Sequence, residues 1–238
     1  MSAAQVGILG GSFNPPHVAH LVCAEEALSQ LALDRVVFVP AGEPPHKPLD
    51  DPGRELRYEL CRLAVADQPR FDVSRIELDR PGPSYTVDTL RALHDEAPED
   101  ELTFIAGGDM AQTLPAWHEP EELLCLARLA IAERSGVARE DLTARLAALD
   151  TGGRIAFFDM PRIDVSSSLI RRHVAEGRPI RYLVPDGVAA RIAEAGLYRE
   201  ADGERSAEAH SSAARRTPVP AAVGASPRPG APPRGSAR

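Results

Sequence analysis

Two histidines, His17 and His20, stand three residues apart at the predicted start of a helix. Residues 6–21 read VGILGGSFNPPHVAHL, which is an apolar run, a glycine turn, a proline turn and then the histidines. Side chains three apart on a helix share one face, so both imidazoles can direct hydrogen bonds or positive charge the same way. A helix N-terminus adds free amides and the positive end of the helix dipole. The pattern therefore predicts contacts with a phosphate group.

Other interpretations of this stretch stay open at this point. A Gly-Gly pair after a strand often forms only a tight turn, because glycine tolerates backbone conformations that other residues avoid. The two histidines could also lie on the surface or belong to a zinc site. Zinc requires three or four ligands, and no cluster of His and Cys with suitable spacing stands nearby, so we expect no metal bound by protein ligands.

A second group of candidate phosphate ligands follows the last predicted strand. Ser166, Ser167 and Ser168 stand at a predicted helix start, and Arg171 lies about one turn further along. Hydroxyls beside free amides, with a guanidinium near them, suit a phosphate for the same physical reason as the first group. The alternative is a plain helix N-cap with solvated arginines.

Alternating strands and helices must position these two groups. The pattern predicts strands over residues 6–9, 35–39, 71–78, 102–106, 129–132 and 154–158. It predicts helices from residue 17, over 54–66, after Ser84 as the cap, and over 121–127, 141–149, 166–175 and 185–195. This alternation is typical of an α/β domain with a doubly wound, Rossmann-like, mostly parallel sheet and flanking helices.

Three turns that follow strands should then meet at one edge of the sheet. They cover residues 10–20, 42–47 and 107–109. In open sheets of this kind the ligand lies outside the carboxyl ends of the strands. We therefore expect the site at that edge.

Composition limits the class of protein. A chain of 238 residues, 43% of them hydrophobic, suits one globular domain, and no stretch approaches the ~20 apolar residues of a membrane span. The first strand begins within about five residues, which fits no signal peptide, so we expect a cytoplasmic protein. The three cysteines form no CxxC pair, and we expect buried free thiols. The net charge of −8 argues against non-specific nucleic-acid binding, and we expect no nucleic-acid or membrane partner.

The C-terminal segment differs from the rest of the chain. Residues 218–238 contain six prolines with Ala, Gly, Ser and Arg between them, and such a composition cannot bury a core. We therefore divide the chain into a domain over residues 1–200 and a disordered tail over residues 201–238. The tail has six arginines against three acids, so a nucleic-acid or partner role for it is the alternative to a functionless extension.

Both sets of candidate phosphate-binding residues resemble motifs of the nucleotidyltransferase superfamily. The first is similar to GGxFxPxHxGH, with Ala19 where the family usually has Gly. The second is similar to ISSTxIR, with Val165 for Ile and Ser168 for Thr, and both changes keep the chemistry. The two motifs alone do not distinguish adenylyl transfer to pantetheine phosphate, adenylyl transfer to a pyridine mononucleotide, and cytidylyl transfer.

The middle of the chain resembles bacterial nicotinate-nucleotide adenylyltransferases. Residues 83–90 look like their PSYTxxTL segment, residues 107–109 match their GxD turn, and residues 44–47 match their PPHK loop. Trp117 stands where they have a Trp, and Arg134 matches the Arg of their RxG turn, with Ser135 in place of the usual Pro. The resemblance covers about residues 5–198.

This resemblance implies adenylyl transfer from ATP to nicotinate mononucleotide, with Mg²⁺ brought by ATP. The nucleophile would be a phosphate dianion, so no general base is needed and catalysis is positioning plus charge stabilisation. The implied catalytic residues are His17, His20, Lys47 and Arg171. The implied ATP and phosphate contacts are Gly10, Gly11, Ser12, Phe13, Gly107, Asp109, Ser166 and Ser167. The implied mononucleotide contacts are Tyr85, Thr86, Trp117 and Arg134.

Alternative functions are transfer to nicotinamide mononucleotide or phosphopantetheine, or nucleotide binding by a non-catalytic regulator. Trp117 could be a core residue, and the PSYT segment could be only an N-cap. The sequence leaves open a homo-oligomer, the strictness between acid and amide, and the effect of Ala19.

Deleting residues 201–238 should leave both transfer activity and the melting temperature nearly unchanged, because the composition of this segment cannot contribute a core. Steady-state kinetics and thermal denaturation of the full chain and the truncated chain measure this. A large loss of either quantity would show that the segment belongs to the folded protein.

Overall fold

Six strands form one parallel sheet in the computed structural model, which describes residues 3–43, 52–133, 138–149 and 152–199. The strands are β1 Gln5–Gly11, β2 Arg35–Pro40, β3 Phe71–Val73, β4 Glu101–Gly107, β5 Ala127–Glu133 and β6 Ile155–Asp159. Their order across the sheet is β3-β2-β1-β4-β5-β6, and every neighbouring pair is parallel. The predicted α/β fold with a parallel sheet is thus confirmed. The predicted tail lies outside the described residues.

Helices cover both faces of this sheet. They are α1 Val18–Gln30, α2 Arg54–Val65, α3 Thr86–Glu96, α4 Gly108–Ala111, α5 Pro120–Leu126, α6 Arg139–Leu146, α7 Ser167–Ala175 and α8 Asp186–Glu194, with a 3₁₀ turn at Leu114–Ala116. Helices α1 and α2 bury apolar side chains against one face, whereas α3, α5 and α6 do so against the other. Helices α7 and α8 pack on α2 through a third cluster that includes Leu60, Ile170 and Val188. Because both faces are covered, the central strands read as continuous apolar runs.

The strand order reverses between β1 and β4. The chain runs from β1 through β2 to β3 at one edge of the sheet, and from β4 through β5 to β6 at the other edge. The connections that leave β1 and β4 therefore diverge. Divergence leaves a crevice at the carboxyl ends of these two strands, where ligands bind in folds of this type. The first set of candidate phosphate-binding residues follows β1 and therefore lies at this crevice.

The predicted strand over residues 71–78 is wrong beyond Val73. β3 lies at the edge of the sheet, and after it the backbone turns, with the Asp79 N–H donating to the Arg75 carbonyl at 3.0 Å. The Arg75 guanidinium pairs with Glu55 and Asp79, and these bonds stabilise the turn. The Glu77 side chain is buried and accepts a hydrogen bond from the Thr89 hydroxyl of α3. Side-chain contacts therefore replace the ladder that the alternating pattern predicted.

The prediction that Ser84 caps α3 is wrong. The N-cap position is Tyr85, and the Ser84 hydroxyl oxygen instead accepts the amide protons of Gly42 at 3.0 Å and of Glu43 at 3.3 Å. The two donors thus lie 42 and 41 positions away in sequence, and no local pattern encodes such a contact.

The cysteines follow the prediction in part. Cys23 and Cys61 are buried free thiols, and burial raises the pKa of the Cys61 thiol above its usual range. Cys125 is exposed, so the prediction of a buried thiol is wrong there. In the described part of the chain, no helix has both the length and the apolar character that crossing a membrane requires.

Gly42 is a position where any side chain would strike the backbone. A Cβ built there would lie 2.3 Å from the Glu77 carbonyl oxygen, far inside contact distance. At Gly152, by contrast, a Cβ would meet only the Arg154 side chain at 3.5 Å, which is ordinary contact. Gly42 therefore permits the loop after β2 to pack against the turn after β3.

Gly42→Ala should lower the free energy of unfolding by about 1–3 kcal/mol, because the backbone must shift to relieve the overlap. Gly152→Ala is the matched control and should stay within about 0.5 kcal/mol of the parent. Urea denaturation of the three proteins measures both effects. Equal stability of Gly42→Ala and the parent would contradict the close approach at residue 42.

Candidate active site

A cleft of about 480 Å³ opens at the carboxyl ends of β1 and β4. Residues from the turn after β1, the start of α1, the β4–α4 junction and the start of α7 line it. The structure brings together eleven predicted site residues here, namely Gly10, Gly11, Ser12, Phe13, His17, His20, Gly107, Asp109, Ser166, Ser167 and Arg171. Two groups about 150 residues apart in sequence therefore form one site, as the predicted topology requires. Lys47 and Arg134 lie outside the described residues.

The glycine turn is built around the buried ring of Phe13. A Cβ at Gly11 would meet three atoms of this ring at 3.2–3.4 Å, so the ring occupies the space that a side chain would need. Phe13 has a φ of 45°, which is the left-handed region that favours glycine, and its ring contacts those of Phe38 and His20. Packing of the ring stabilises this strained backbone. The turn thus presents its backbone to the cleft in a fixed conformation.

The two histidines form a stacked pair at the N-terminus of α1. Their ring centroids are 3.7 Å apart at an interplanar angle of 24°. The backbone N–H of His17, which occupies the N-cap position, donates to His20 Nδ1 at 3.2 Å. Because Nδ1 accepts this proton, the proton of the neutral His20 imidazole lies on Nε2. Nε2 is therefore the donor nitrogen of His20, which lines the cleft.

The start of α7 is hydrogen-bonded to the turn after β1. The Ser167 hydroxyl donates to the Pro15 carbonyl at 2.8 Å, and Arg171 Nη1 donates to the Asn14 carbonyl at 2.8 Å. Ser166 is the N-cap of α7 and accepts the Leu169 amide proton, so the N-cap interpretation is correct for this residue. These hydrogen bonds therefore fix the distance between the two sets of candidate phosphate-binding residues. A guanidinium has five N–H donors, and Arg171 also lines the cleft with a positive charge.

A second cavity of about 370 Å³ contains the predicted mononucleotide residues that the structure describes. Tyr85, Thr86 and Trp117 line it, together with Ser84, Thr113, Ala116 and His118. The Trp117 Nε1–H donates to the Thr113 hydroxyl oxygen at 2.9 Å, and that hydroxyl donates to the Met110 carbonyl at 2.8 Å. Trp117 also packs edge-on against Phe104 of the core, so it is both a packing residue and a wall of the cavity. Met110 lines the first cleft, so this short segment joins the two cavities.

Arg57 and His118 belong to the site region, but they were not predicted from the sequence as site residues. Arg57 lies on α2 and is 1% exposed, with its guanidinium bonded to the carbonyls of Ser12 and Gly42. An arginine in helical register with the apolar residues of α2 was a usable signal for it. The His118 ring lies 4.6 Å from that of Tyr85 and follows Trp117 directly. Its only signal was this position beside the tryptophan.

The charges in the cleft suit an anionic ligand. Arg171 and the N-termini of α1 and α7 are positive, and Asp109 is the one carboxylate among the described residues that line it. No group of three His, Cys, Asp or Glu side chains within the described ranges could hold a metal ion. Any metal in this cleft would therefore depend on ligand oxygens as well.

Known proteins are similar to this chain in sequence and in fold. A model of the cytidylyltransferase-like family matches residues 8–173. A protein of Roseiflexus sp. RS-1, named a probable nicotinate-nucleotide adenylyltransferase, is 48% identical over 84% of this chain and all of its own length. A protein of the same name from Thermus thermophilus is 46% identical over 82% of this chain and all of its own length.

Solved structures share the fold. The nicotinic acid mononucleotide adenylyltransferase of Plasmodium falciparum, solved in complex with NaAD, aligns with a TM-score of 0.68 at 18% identity, over 82% of this chain and 97% of that chain. A putative nicotinate-nucleotide adenylyltransferase from Vibrio parahaemolyticus aligns with a TM-score of 0.58 at 20% identity, over 84% and 98% of the two chains.

His20→Asn and His20→Ala should both lower kcat for pyrophosphate release by about a hundredfold or more, because both remove the Nε2 donor. The Asn side-chain oxygen can still accept the His17 amide proton, so His20→Asn should keep the parent melting temperature. Steady-state kinetics and thermal denaturation measure the two effects. The control is His94→Ala, since His94 lines neither cavity. Parent-like turnover of His20→Asn would reduce the role of His20 to capping.

Proposed function

We infer that this chain, which belongs to the cytidylyltransferase-like family, transfers the adenylyl group of ATP to nicotinate mononucleotide. The products are deamido-NAD and pyrophosphate. The observation that carries this inference is the pair of cavities linked by the segment from Met110 to Trp117, one with Arg171 and two helix N-termini and one with an aromatic wall. A transferase that joins two nucleotides needs both. The names of the full-length relatives support the choice of acceptor.

The first cleft takes ATP in this proposal. We assign the triphosphate to His17, His20, Ser167 and Arg171, with Lys47 contributing from its loop. Gly10, Gly11, Ser12 and Phe13 form the wall of the cleft, Gly107 and Ser166 border it, and Asp109 binds sugar hydroxyls on the adenosine side. The amides at the two helix starts add a positive potential where the phosphates lie.

Transfer is a single displacement at the α-phosphorus of ATP. An oxygen of the mononucleotide phosphate forms the new bond as the bond to the β-phosphate bridging oxygen breaks, and pyrophosphate leaves with that electron pair. The nucleophile already carries its negative charge, so no side chain must remove a proton. Catalysis then consists of holding the two phosphates in line and stabilising the charge that spreads over the transferred group. His20 Nε2 supplies a donor fixed in advance for that charge.

The second cavity takes the pyridine ring of the mononucleotide. A flat ring stacks well on an aromatic face, and the Trp117 indole is held in orientation by its bond to Thr113. Tyr85 and Thr86 line the cavity where α3 begins, so the helix N-terminus and the Thr86 hydroxyl suit the nicotinate carboxylate. We also assign Arg134, which lies outside the described residues, to the mononucleotide. A carboxamide would gain less from a positive helix end, which favours nicotinate over nicotinamide.

Mg²⁺ accompanies ATP in this proposal. It prefers near-octahedral oxygen coordination and usually keeps several waters, so the phosphate oxygens of ATP are its main ligands. Bound with ATP, the ion would neutralise charge on the leaving pyrophosphate. We also propose that the protein is cytoplasmic, that its small-molecule partners are ATP and nicotinate mononucleotide, and that it binds neither membranes nor nucleic acid.

Pyrophosphate release tests the proposal. Purified protein with Mg-ATP is assayed in parallel with nicotinate mononucleotide, nicotinamide mononucleotide and phosphopantetheine, and ATP alone is the control. Release with nicotinate mononucleotide should exceed the others by at least about tenfold in kcat/KM, because a charged contact at the carboxylate is lost with the amide. Release with none of them, while ATP still binds at equilibrium, would instead indicate a nucleotide-binding regulator.

A further inference from the structure

Arg57 joins two loops that the proposed reaction must hold together. Its Nη1 donates to the Ser12 carbonyl in the turn after β1, and its Nη2 donates to the Gly42 carbonyl in the loop after β2, both at 3.2 Å. The side chain is 1% exposed. The acceptors of these two bonds are backbone oxygens, so the bonds fix the paths of the two loops.

Stability alone gives a weak reason for this side chain. A guanidinium keeps its charge at any ordinary pH, so burying it has a desolvation cost that an apolar side chain would not have. An apolar residue in the same helical register as Leu60 and Cys61 would extend the core of α2. The planar fork of Arg, however, can direct two parallel donors at two acceptors in a fixed geometry. The contact is therefore suited to setting positions.

The loop at residues 41–43 is also tied to the start of α3. The Ser84 hydroxyl oxygen accepts the amide protons of Gly42 and Glu43, and the Ser84 N–H donates to the Glu43 carbonyl at 3.0 Å. On its other side, the Ala41 N–H donates to the Gly11 carbonyl at 2.9 Å. Residues 41–43 thus connect the glycine turn of the first cleft with Ser84, a wall of the second cavity.

We propose that Arg57 and Ser84 are positioning residues that set the separation between the phosphate turn and the pyridine cavity. They bond residues 41–43 from two different elements, α2 and the segment before α3, so that the mononucleotide phosphate meets the α-phosphorus in line. This inference rests on the proposed function. Neither side chain touches the reacting atoms, so neither is catalytic in its own right. A misplacement of about 1 Å between reacting groups can lower a rate by about a hundredfold.

A specific kinetic signature follows from this role. Arg57 lines neither cavity, so in the Arg57 variants the dissociation constants of ATP alone and of the mononucleotide alone should change by less than about threefold. kcat should fall, because only the ternary complex requires the correct separation. We expect a fall of about a hundredfold for Arg57→Met and roughly tenfold for Ser84→Ala, which removes one acceptor. Arg57→Lys keeps the charge but lacks the fork, so it should not restore kcat.

The experiment measures kcat, both dissociation constants and the melting temperature for Arg57→Met, Arg57→Lys, Ser84→Ala and the double variant. The two residues hold the same loop, so the double variant should be no slower than Arg57→Met. Arg191→Met is the matched control, because Arg191 also bonds α2, through Glu59, but lies outside both cavities. Its kcat should match the parent. If Arg57→Met does not fold, Ser84→Ala and Arg57→Lys still carry the test.

Three results would overturn the inference. Parent-like kcat in Ser84→Ala and Arg57→Lys would show that the separation does not depend on them. Weakened binding of one substrate with unchanged kcat would assign the residues to one half-site. Multiplicative losses in the double variant would show that they act independently. Absence of turnover in the parent protein is a different outcome, because it refutes the proposed function.

Discussion

The reversal of strand order between β1 and β4 is the constraint on which the rest of the structure depends. Because the crossover connections diverge there, the carboxyl ends of two neighbouring strands are left uncovered, and the N-terminus of α1 faces the gap. The turn after β1 must then be tight and must expose backbone. Gly11 provides this by leaving room for the Phe13 ring, which in turn packs on Phe38 and His20. The geometry of the site is thus a consequence of core packing beneath it.

The parts of the site that the sequence could predict are those that local patterns encode. Local sequence alone predicts a phosphate-binding geometry for the strand-turn-helix stretch at residues 6–21 and for the serine-rich helix start at residues 166–168. The alternation of strands and helices predicts that both lie at one edge of the sheet. The full-length relatives confirm the family to which the middle of the chain pointed. The roles of the individual residues stay predictions, and those of Lys47 and Arg134 concern residues that the structure does not describe.

The parts that the sequence could not predict depend on contacts between distant residues. The bond from Arg57 to Ser12 spans 45 positions and that from Gly42 to Ser84 spans 42, so no window of sequence contains either. The strand predicted over residues 71–78 failed for the same reason, since Arg75 and Glu77 bond to α2, α3 and their own turn instead of extending the sheet edge. The tie between α7 and the Asn14–Pro15 carbonyls likewise appears only in three dimensions.

Positioning without a protein nucleophile is the central feature of the proposed mechanism, and the stereochemistry at the α-phosphorus tests it most directly. The measurement uses ATP made chiral at that atom by one sulphur and determines the configuration of the dinucleotide product. Direct attack by the mononucleotide phosphate is one displacement, so we expect inversion. Retention would require two displacements through an adenylylated side chain, such as that of His20, and would contradict the mechanism.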